Sequence, residues 1–216
     1  MNKKNYARLC DEILKAPGTV DKTVVIQSCC APCSSWCLTY LQGKIKVRSL
    51  YYNPNIVDKA EYELRQKELA RLVDALSEEY PEASIEMIPG RPDTEHFLEA
   101  VRGLEKEPEG GKRCEVCFEL RLREAARVAK EIGADYFSTT LTISPLKNAE
   151  LINTIGERIA AEEGIAFLPS DFKKKDGYKK SVELSHKYGL YRQDYCGCPF
   201  SKSESEMRKK NNEETT

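Results

Sequence analysis

The segment QSCCAPCSSWC constrains this chain most, because it places four cysteines in eleven positions and two of them side by side. It overlaps the β-branched run TVVIQS, and Pro32 stands where the first turn of a helix tolerates proline, so the pattern predicts a strand and then a helix. Neighbouring side chains in a strand point to opposite faces. Cys29 and Cys30 are therefore predicted to lie in the turn after the strand, where unpaired amides at the helix start favour the thiolate form that binds metals.

The cysteine count and the charge balance narrow the chemistry. The chain has nine cysteines in 216 residues, 32% charged residues and a formal net charge of −1. No apolar run approaches the roughly 20 residues that cross a bilayer, and the first residues lack the apolar segment of a secretory signal, so we expect a cytoplasmic protein that binds no membrane. Cytoplasmic reductants and the odd cysteine count argue against a disulfide framework and favour metal binding or redox chemistry.

Apolar runs and amphipathic stretches alternate along the chain and predict an α/β fold. The runs with strand character are TVVIQS, KVRSLYY, ASIEMIPG, YFSTTLT and IAFLPSDF. We expect residues 1–201 to form a single catalytic domain with a mainly parallel sheet of about five strands flanked by helices. Residues 202–216 are expected to form a polar, flexible tail.

Parallel sheets bind ligands at the carboxyl ends of their strands. Several residues that can bind metals or polar groups directly follow the predicted strands: Cys29, Cys30, Asn53, Ser144 and Asp171. The pattern therefore predicts a metal site at this edge of the sheet.

A second pair of cysteines lies in the segment RCEVC. Cys114 and Cys117 are three positions apart, which places both on one face of a helical turn or in a metal-binding knuckle. With Cys29 and Cys30 they supply the four thiolates that an iron–sulfur cluster or a structural zinc ion requires. The alternative is that Cys29 and Cys30 are buried core residues.

The third group of thiols lies in YCGCPF, where Cys196 and Cys198 flank Gly197. Disulfide geometry requires Cα atoms about 4.4–6.8 Å apart, which two residues this close reach only in a bent backbone that glycine allows. A bridge so short would be strained and labile, which suits electron relay; the alternative is two further metal ligands.

Cys33 is either another ligand or a packing residue. The remaining cysteines and the histidines show no ligand spacing and are interpreted as packing or surface residues: Cys10, Cys37, His96 and His186.

The segments that carry these thiols resemble one family, in order along the chain. They are CCAPCS, YYNPNI with EYELR behind it, RCEVCFELRL, FSTTLTISP, SDFKKKDGYKKSVELS and LYRQDYCGCPFS. The family is that of the cobalamin-independent epoxyqueuosine reductases of the QueH type. The resemblance implies reduction of epoxyqueuosine to queuosine at the wobble position of tRNA, with a 4Fe-4S cluster as electron carrier. By position it implies cluster ligands at Cys29, Cys30, Cys114 and Cys117 and a redox-active disulfide pair at Cys196 and Cys198.

The resemblance also implies a second iron beside the cluster. Asp171, at the end of the last predicted strand, is our candidate carboxylate ligand for it and a candidate catalytic residue. Opening an epoxide to an alkene takes two electrons and expels an oxygen that a Lewis acid or a proton donor must stabilise. Asp171, Tyr178, Tyr191 or Tyr195 could deliver the proton, and the sequence does not choose among them.

A tRNA substrate needs a positive surface and stacking partners for a splayed base. The stretch DFKKKDGYKK is the densest basic run in the chain, and LYRQ follows it. We expect Lys173, Lys174, Tyr178 and Arg192 to bind the substrate, although a run of lysines is also typical of a solvated surface. The reaction requires an electron donor, and we expect a monomer.

Two other classes of protein remain compatible with the residues. A zinc-stabilised RNA-binding module without catalysis could use the same four cysteines, although structural zinc sites usually separate paired thiols by two to four residues. A thiol oxidoreductase could use Cys196 and Cys198 on protein substrates. A tRNA-thiolating enzyme is less compatible, because it would need a glycine-rich phosphate loop where this chain has CCAPCSS.

Overall fold

The computed structural model describes residues 4–213 and contains a single five-stranded sheet in which every strand pair is parallel. The strands are β1 (Thr23–Gln27), β2 (Lys46–Tyr51), β3 (Ile85–Pro89), β4 (Tyr136–Thr139) and β5 (Ala166–Phe167). The helices of this part of the chain are α1 (Tyr6–Lys15), α2 (Ala31–Leu41), α3 (Lys59–Glu79), α4 (Thr94–Ala100), α5 (Lys112–Glu131), α6 (Ala149–Glu163), α7 (Gly177–Lys187) and α8 (Pro199–Glu213). The predicted α/β fold with its parallel sheet is confirmed.

The central strand β1 is buried on both faces, as its β-branched sequence predicts. Val24 and Ile26 point into a core formed with α2 and α3, whereas Val25 points into a second core formed with α5 and α6. All three side chains are inaccessible to solvent. Each contributes roughly 1.5–3 kcal/mol of burial free energy, so the strand is anchored firmly on both sides.

The strand order β3-β2-β1-β4-β5 places a topological switch between β1 and β4. The chain leaves β1 in one direction along the sheet and returns to pair β4 on its other side, so the segments that follow these two strands diverge and leave a crevice. The last residues of the two strands, Gln27 and Thr139, are register partners. The thiol-rich segment therefore begins directly at the switch point.

A buried polar network fixes the carboxyl ends of the three central strands. The Thr139 hydroxyl donates to Gln27 Oε1 at 2.9 Å, and Gln27 Nε2 donates to the carbonyl of Tyr52 at 2.9 Å. The Asn53 side chain in turn donates to the carbonyl of Ser28 at 2.9 Å. Because these groups are buried and hydrogen-bonded, they hold the strand ends in one arrangement.

The segment predicted as a polar tail continues as helix through residue 213. Helix α8 crosses the predicted domain boundary at residue 201, and Ser205, near the middle of the helix, is buried. The division at residue 201 stays a prediction. Across residues 4–213, each helix is too short or too polar to cross a membrane.

Candidate active site

Three thiols from one turn lie together at the end of β1. The sulfur atoms of Cys29, Cys30 and Cys33 all lie within 4.8 Å of one another, and the first two are 3.8 Å apart. Cys30 has an extended backbone at the N-cap of α2, so Cys33 comes back beside it within the first helical turn. Among residues 4–213, this is the one group of three or more metal-binding side chains with such spacing. The structure thus places Cys33 with the two adjacent cysteines.

The start of α2 and its neighbours favour a negative charge on this triad. Cys30 makes no capping hydrogen bond with its side chain, so the amides of the first turn remain available to an anion. The thiols of Cys30 and Cys33, with Arg121 and Thr140, lower the pKa of Cys29 well below its usual range. The pKa of Cys30 is raised to about 12, mainly by its hydrogen bond with Cys29. The triad therefore favours one thiolate held by two neutral thiols.

Helix α5 supplies the second pair of thiols on one face. Cys114 is half-buried and accepts a hydrogen bond from the Gly110 amide at 3.2 Å, and it packs against the same hydrophobic core as Cys29. Cys117 lies in an apolar cluster that includes Cys198. Burial raises the pKa of both thiols, to about 12 for Cys117. Metal binding here would thus require displacement of both protons.

A side chain of α3 forms hydrogen bonds to the loop that carries Cys196 and Cys198. Arg65 is 1% exposed, and its Nη1 donates to the carbonyl of Cys196 at 3.1 Å while its Nε donates to Glu61 at 2.7 Å. Gly197 has a φ of +121°, and a Cβ there would lie 2.8 Å from Ile56 Cγ1. The position therefore requires glycine for its backbone and for its close approach. The two flanking thiols are free.

Two neighbouring cavities bring the three thiol groups together. The first, which we call the thiol cavity, has a volume of about 180 Å³ and is lined by Cys29, Cys33, Lys147, Tyr178, Arg192, Tyr195 and Cys196, among others. The second, the inner cavity, has a volume of about 90 Å³ and is lined by Asn55, Cys114, Cys117, Lys147, Cys196 and Cys198, among others. Cys196 and Lys147 line both cavities, so thiols from three distant segments share one region of the protein.

Among the described residues, a buried cation faces these thiols without an acidic partner. Arg121 is 1% exposed and its Nη2 donates to Asn55 Oδ1, but its Nε and Nη1 and the amide nitrogen of Asn55 have no hydrogen-bond partner within residues 4–213. Although burial acts to lower it, the thiols of Cys117, Cys196 and Cys29 raise the pKa of Arg121 further above its usual value. Unsatisfied buried donors are costly. Soft thiolate ligands beside unpaired donors fit an anionic iron–sulfur or zinc–thiolate group.

The other predicted site residues divide between the thiol cavity and a third cavity. Tyr178 and Arg192 line the thiol cavity. Asp171, Lys173 and Lys174 line a cavity of about 790 Å³, the basic cavity, which also includes Lys4, Arg8, Lys147 and Lys175. Asp171 forms an ion pair with Lys173 at 3.0 Å. The structure therefore places Asp171 beside lysines in the basic cavity. Lys147 lines this cavity and also the two cavities that contain the thiols.

The remaining cysteines and histidines lie where the sequence predicts. Cys10 and Cys37 are buried in the core formed with α2 and α3. His96 lies beside Asp93, with its side chain 55% exposed, and His186 is exposed near the end of α7.

Three residues of the site are not recognised from sequence patterns. Arg65 stands in the segment EYELR, Lys147 in the turn after β4, and Thr140 directly after β4, where its hydroxyl lies 3.6 Å from Cys29 Sγ. Their positions after strands or within a motif are the only sequence signals they carry.

A family model and several related proteins all indicate the same family for this chain. A family model described as epoxyqueuosine reductase QueH matches residues 24–204. A protein named epoxyqueuosine reductase QueH from Streptococcus pyogenes serotype M1 is 38% identical over 201 residues, which cover 92% of this chain and 78% of the relative. Proteins of the same name from Staphylococcus epidermidis and Thermotoga maritima are 41% and 38% identical, over 82% and 83% of this chain and 75% and 90% of theirs.

Proposed function

The chain belongs to the epoxyqueuosine reductase QueH family and is an oxidoreductase, and we propose that it reduces epoxyqueuosine to queuosine in the wobble position of tRNA. The observation that best supports this reaction is the meeting of three thiol groups around two adjacent cavities, one of them open to Tyr178 and Arg192. A redox site beside a cavity lined by polar and aromatic side chains is suited to a modified nucleoside.

We propose that a 4Fe-4S cluster is held by Cys29, Cys30, Cys114 and Cys117. When bound, this group would supply electrons one at a time. The support for it is the soft donor set and the unpaired donors of Arg121 and Asn55, which a neutral or cationic group would leave unsatisfied. Thr140 would orient Cys29, because its hydroxyl faces that sulfur.

A second iron beside the cluster is also proposed, with two candidate ligands. Cys33 lies in the triad and lines the thiol cavity, so it is well placed for such an ion. Asp171 stays a proposed ligand and catalytic residue, although its ion pair with Lys173 would have to open.

The pair Cys196 and Cys198 completes the electron balance. Reduction of the epoxide breaks two C–O bonds, forms one C=C bond and releases the oxygen as water, which requires two electrons and two protons. Oxidation of the two thiols to a disulfide supplies both. Cys196 lines the thiol cavity and the inner cavity, so it lies between the proposed nucleoside site and the cluster ligands. Arg65 and Gly197 fix the loop that carries the pair.

We propose that tRNA lies across the thiol cavity and the basic cavity. Tyr178 would contact the nucleoside, and Lys173 and Lys174 would contact the phosphate backbone. Tyr178 or Tyr195 would relay a proton from the dithiol to the oxygen rather than Tyr191, because the Tyr191 hydroxyl already lies 3.2 Å from both carboxylate oxygens of Glu61. Such an enzyme would act in the cytoplasm, as a monomer, with an external electron donor.

The test is anaerobic purification followed by turnover of tRNA that carries epoxyqueuosine. We expect iron and sulfide in the protein, conversion by the wild type, and loss of conversion in Cys198→Ser. Cys10→Ser is the matched control, because this buried cysteine lies in the core formed with α2 and α3 and should leave turnover intact. A protein that holds zinc alone and converts no epoxyqueuosine would instead support an RNA-binding module, and thiol exchange on proteins would support a thiol oxidoreductase.

A further inference from the structure

Lys147 lies where the three cavities of the site meet. It lies in the tight turn between the short 3-10 helix Thr140–Ile143 and α6, where its amide donates to the carbonyl of Ser144 at 3.3 Å, and α6 begins two residues later. Its side chain is half-buried and lines the thiol cavity, the inner cavity and the basic cavity. The turn and the helix thus present one ammonium group to the region that separates the thiols from the lysine-rich surface.

The charge of Lys147 has no acidic partner among the described residues. Two other lysines of the basic cavity are neutralised, Lys173 by Asp171 and Lys175 by Asp11. Lys147 forms no ion pair within 4.0 Å and its ammonium makes no hydrogen bond in residues 4–213. Its ammonium is therefore free to donate hydrogen bonds to a ligand in the thiol cavity and the inner cavity, which Glu109 also lines.

Thiols have the strongest electrostatic influence on this cation. Cys196, and after it Cys29 and Cys33, raise the pKa of Lys147 above its usual value, although burial opposes them. Like an ordinary lysine, Lys147 carries a protonated ammonium at neutral pH. It is a hydrogen-bond donor with a full charge, next to the cysteine that lines both thiol-containing cavities.

We propose that Lys147 is a catalytic residue whose ammonium donates a hydrogen bond to the epoxide oxygen while the C–O bonds break. This inference rests on the proposed function and deepens it, because that function leaves open what stabilises the departing oxygen. Negative charge develops on this oxygen before it is protonated, and a donor held in place by the protein stabilises such charge better than water does. The thiol cavity, at about 180 Å³, accepts a small ring and keeps it close to both Lys147 and Cys196.

Each group has a defined part in the transfer of electrons and protons. Two electrons and two protons come from the dithiol of Cys196 and Cys198, which becomes a disulfide. The epoxide carbons form the double bond, and the oxygen leaves as water. Lys147 supplies the positive charge that the oxygen contacts and is not consumed.

The test compares Lys147→Gln and Lys147→Arg with the wild type in single-turnover and steady-state reduction of epoxyqueuosine-containing tRNA. Loss of one such donor lowers kcat by about 10²–10³-fold in enzymes that use it. We expect a decrease of about 100-fold or more in kcat for Lys147→Gln, with an unchanged KM and unchanged iron content, and partial recovery in Lys147→Arg. Binding of tRNA that carries the product queuosine, which lacks the epoxide oxygen, should change by less than about threefold.

Two comparisons separate this role from others. Lys174→Gln should raise KM and leave kcat unchanged, because Lys174 is proposed to contact phosphate, and Lys130→Gln should alter neither, because Lys130 pairs with Glu163 on the α5 and α6 surface. A kcat of Lys147→Gln close to that of the wild type, or a loss confined to KM and to binding of product tRNA, would overturn the inference. If both Lys147 variants fail to load iron while Lys130→Gln loads it, Lys147 supports the thiol centre instead and the inference is wrong. Absence of turnover in the wild type would overturn the proposed function itself.

Discussion

Replacement of Arg65 by methionine tests whether α3 holds the redox loop. The substitution keeps the length and much of the volume of the side chain and removes its charge and donors. In the structure the guanidinium donates to Glu61 at 2.7 Å and to the carbonyl of Cys196 at 3.1 Å, and it lies 5.0 Å from the ring of Tyr195. Arg65 is 1% exposed, so water cannot replace these partners.

The expected loss of stability follows from these contacts. A hydrogen bond that involves a charged group contributes about 1.5–3 kcal/mol, and removal of one partner from a buried ion pair costs about 3–5 kcal/mol. The Glu61 side chain is 12% exposed, and within residues 4–213 it keeps only the Tyr191 hydroxyl as a further donor. We therefore expect Arg65→Met to lower the free energy of unfolding by about 3–5 kcal/mol, near the upper end for single substitutions.

Urea denaturation of wild type and variant at equal iron content measures this difference. Arg127→Met is the matched control, because Arg127 is bonded to Glu124 and Glu131 but its side chain is 57% exposed; it should lose no more than about 1 kcal/mol. The alkylation rate of Cys196 should also rise in Arg65→Met, since its loop is no longer held. A stability within about 1 kcal/mol of the wild type would refute this explanation.

Three further predictions concern other parts of the molecule. Burial raises the pKa of Cys10 to about 12 from an ordinary thiol value of 9.0, so the stability that its protonated form contributes is complete below pH 9 and falls as the pH rises toward 12. Relative to Cys10→Ala, the free energy of unfolding of the wild type in urea titrations should fall by about 1.4 kcal/mol by pH 10. Parallel plots of stability against pH for the two proteins would contradict this. Gly197→Ala should cost about 1–3 kcal/mol because of its positive φ and its contact with Ile56, and an unchanged melting temperature would show that the loop adapts. Lys173→Gln with Lys174→Gln should weaken tRNA binding and reduce the salt slope by about 1.4, whereas an unaltered slope would place the phosphates elsewhere.

The regular elements could be predicted because their signals are local. The run TVVIQS predicts the bounds of β1 to within one residue, and Pro32 lies in the first turn of α2 as predicted. The run IAFLPSDF, by contrast, gives only the two-residue strand β5. Residues 202–213 have a polar composition and still form the greater part of α8, where the ring of Phe200 packs against Arg113 and Ser205 is buried. Such contacts between distant segments leave no periodic signal in the sequence.

The sequence by itself determined the fold class, the family and the set of thiols, because short patterns of residue type and spacing encode strands, helices and metal-binding turns. The tertiary structure decided which of these groups meet. Pairing of β1 with β4 brings Thr140 to Cys29, and the first turn of α2 joins Cys33 to the adjacent pair. The packing of α5 and of the turn before α6 places Arg121 and Lys147 beside the thiols without acidic partners among the described residues. Charge compensation is a property of spatial neighbours, so only the folded chain reveals that these two cations lie beside thiols.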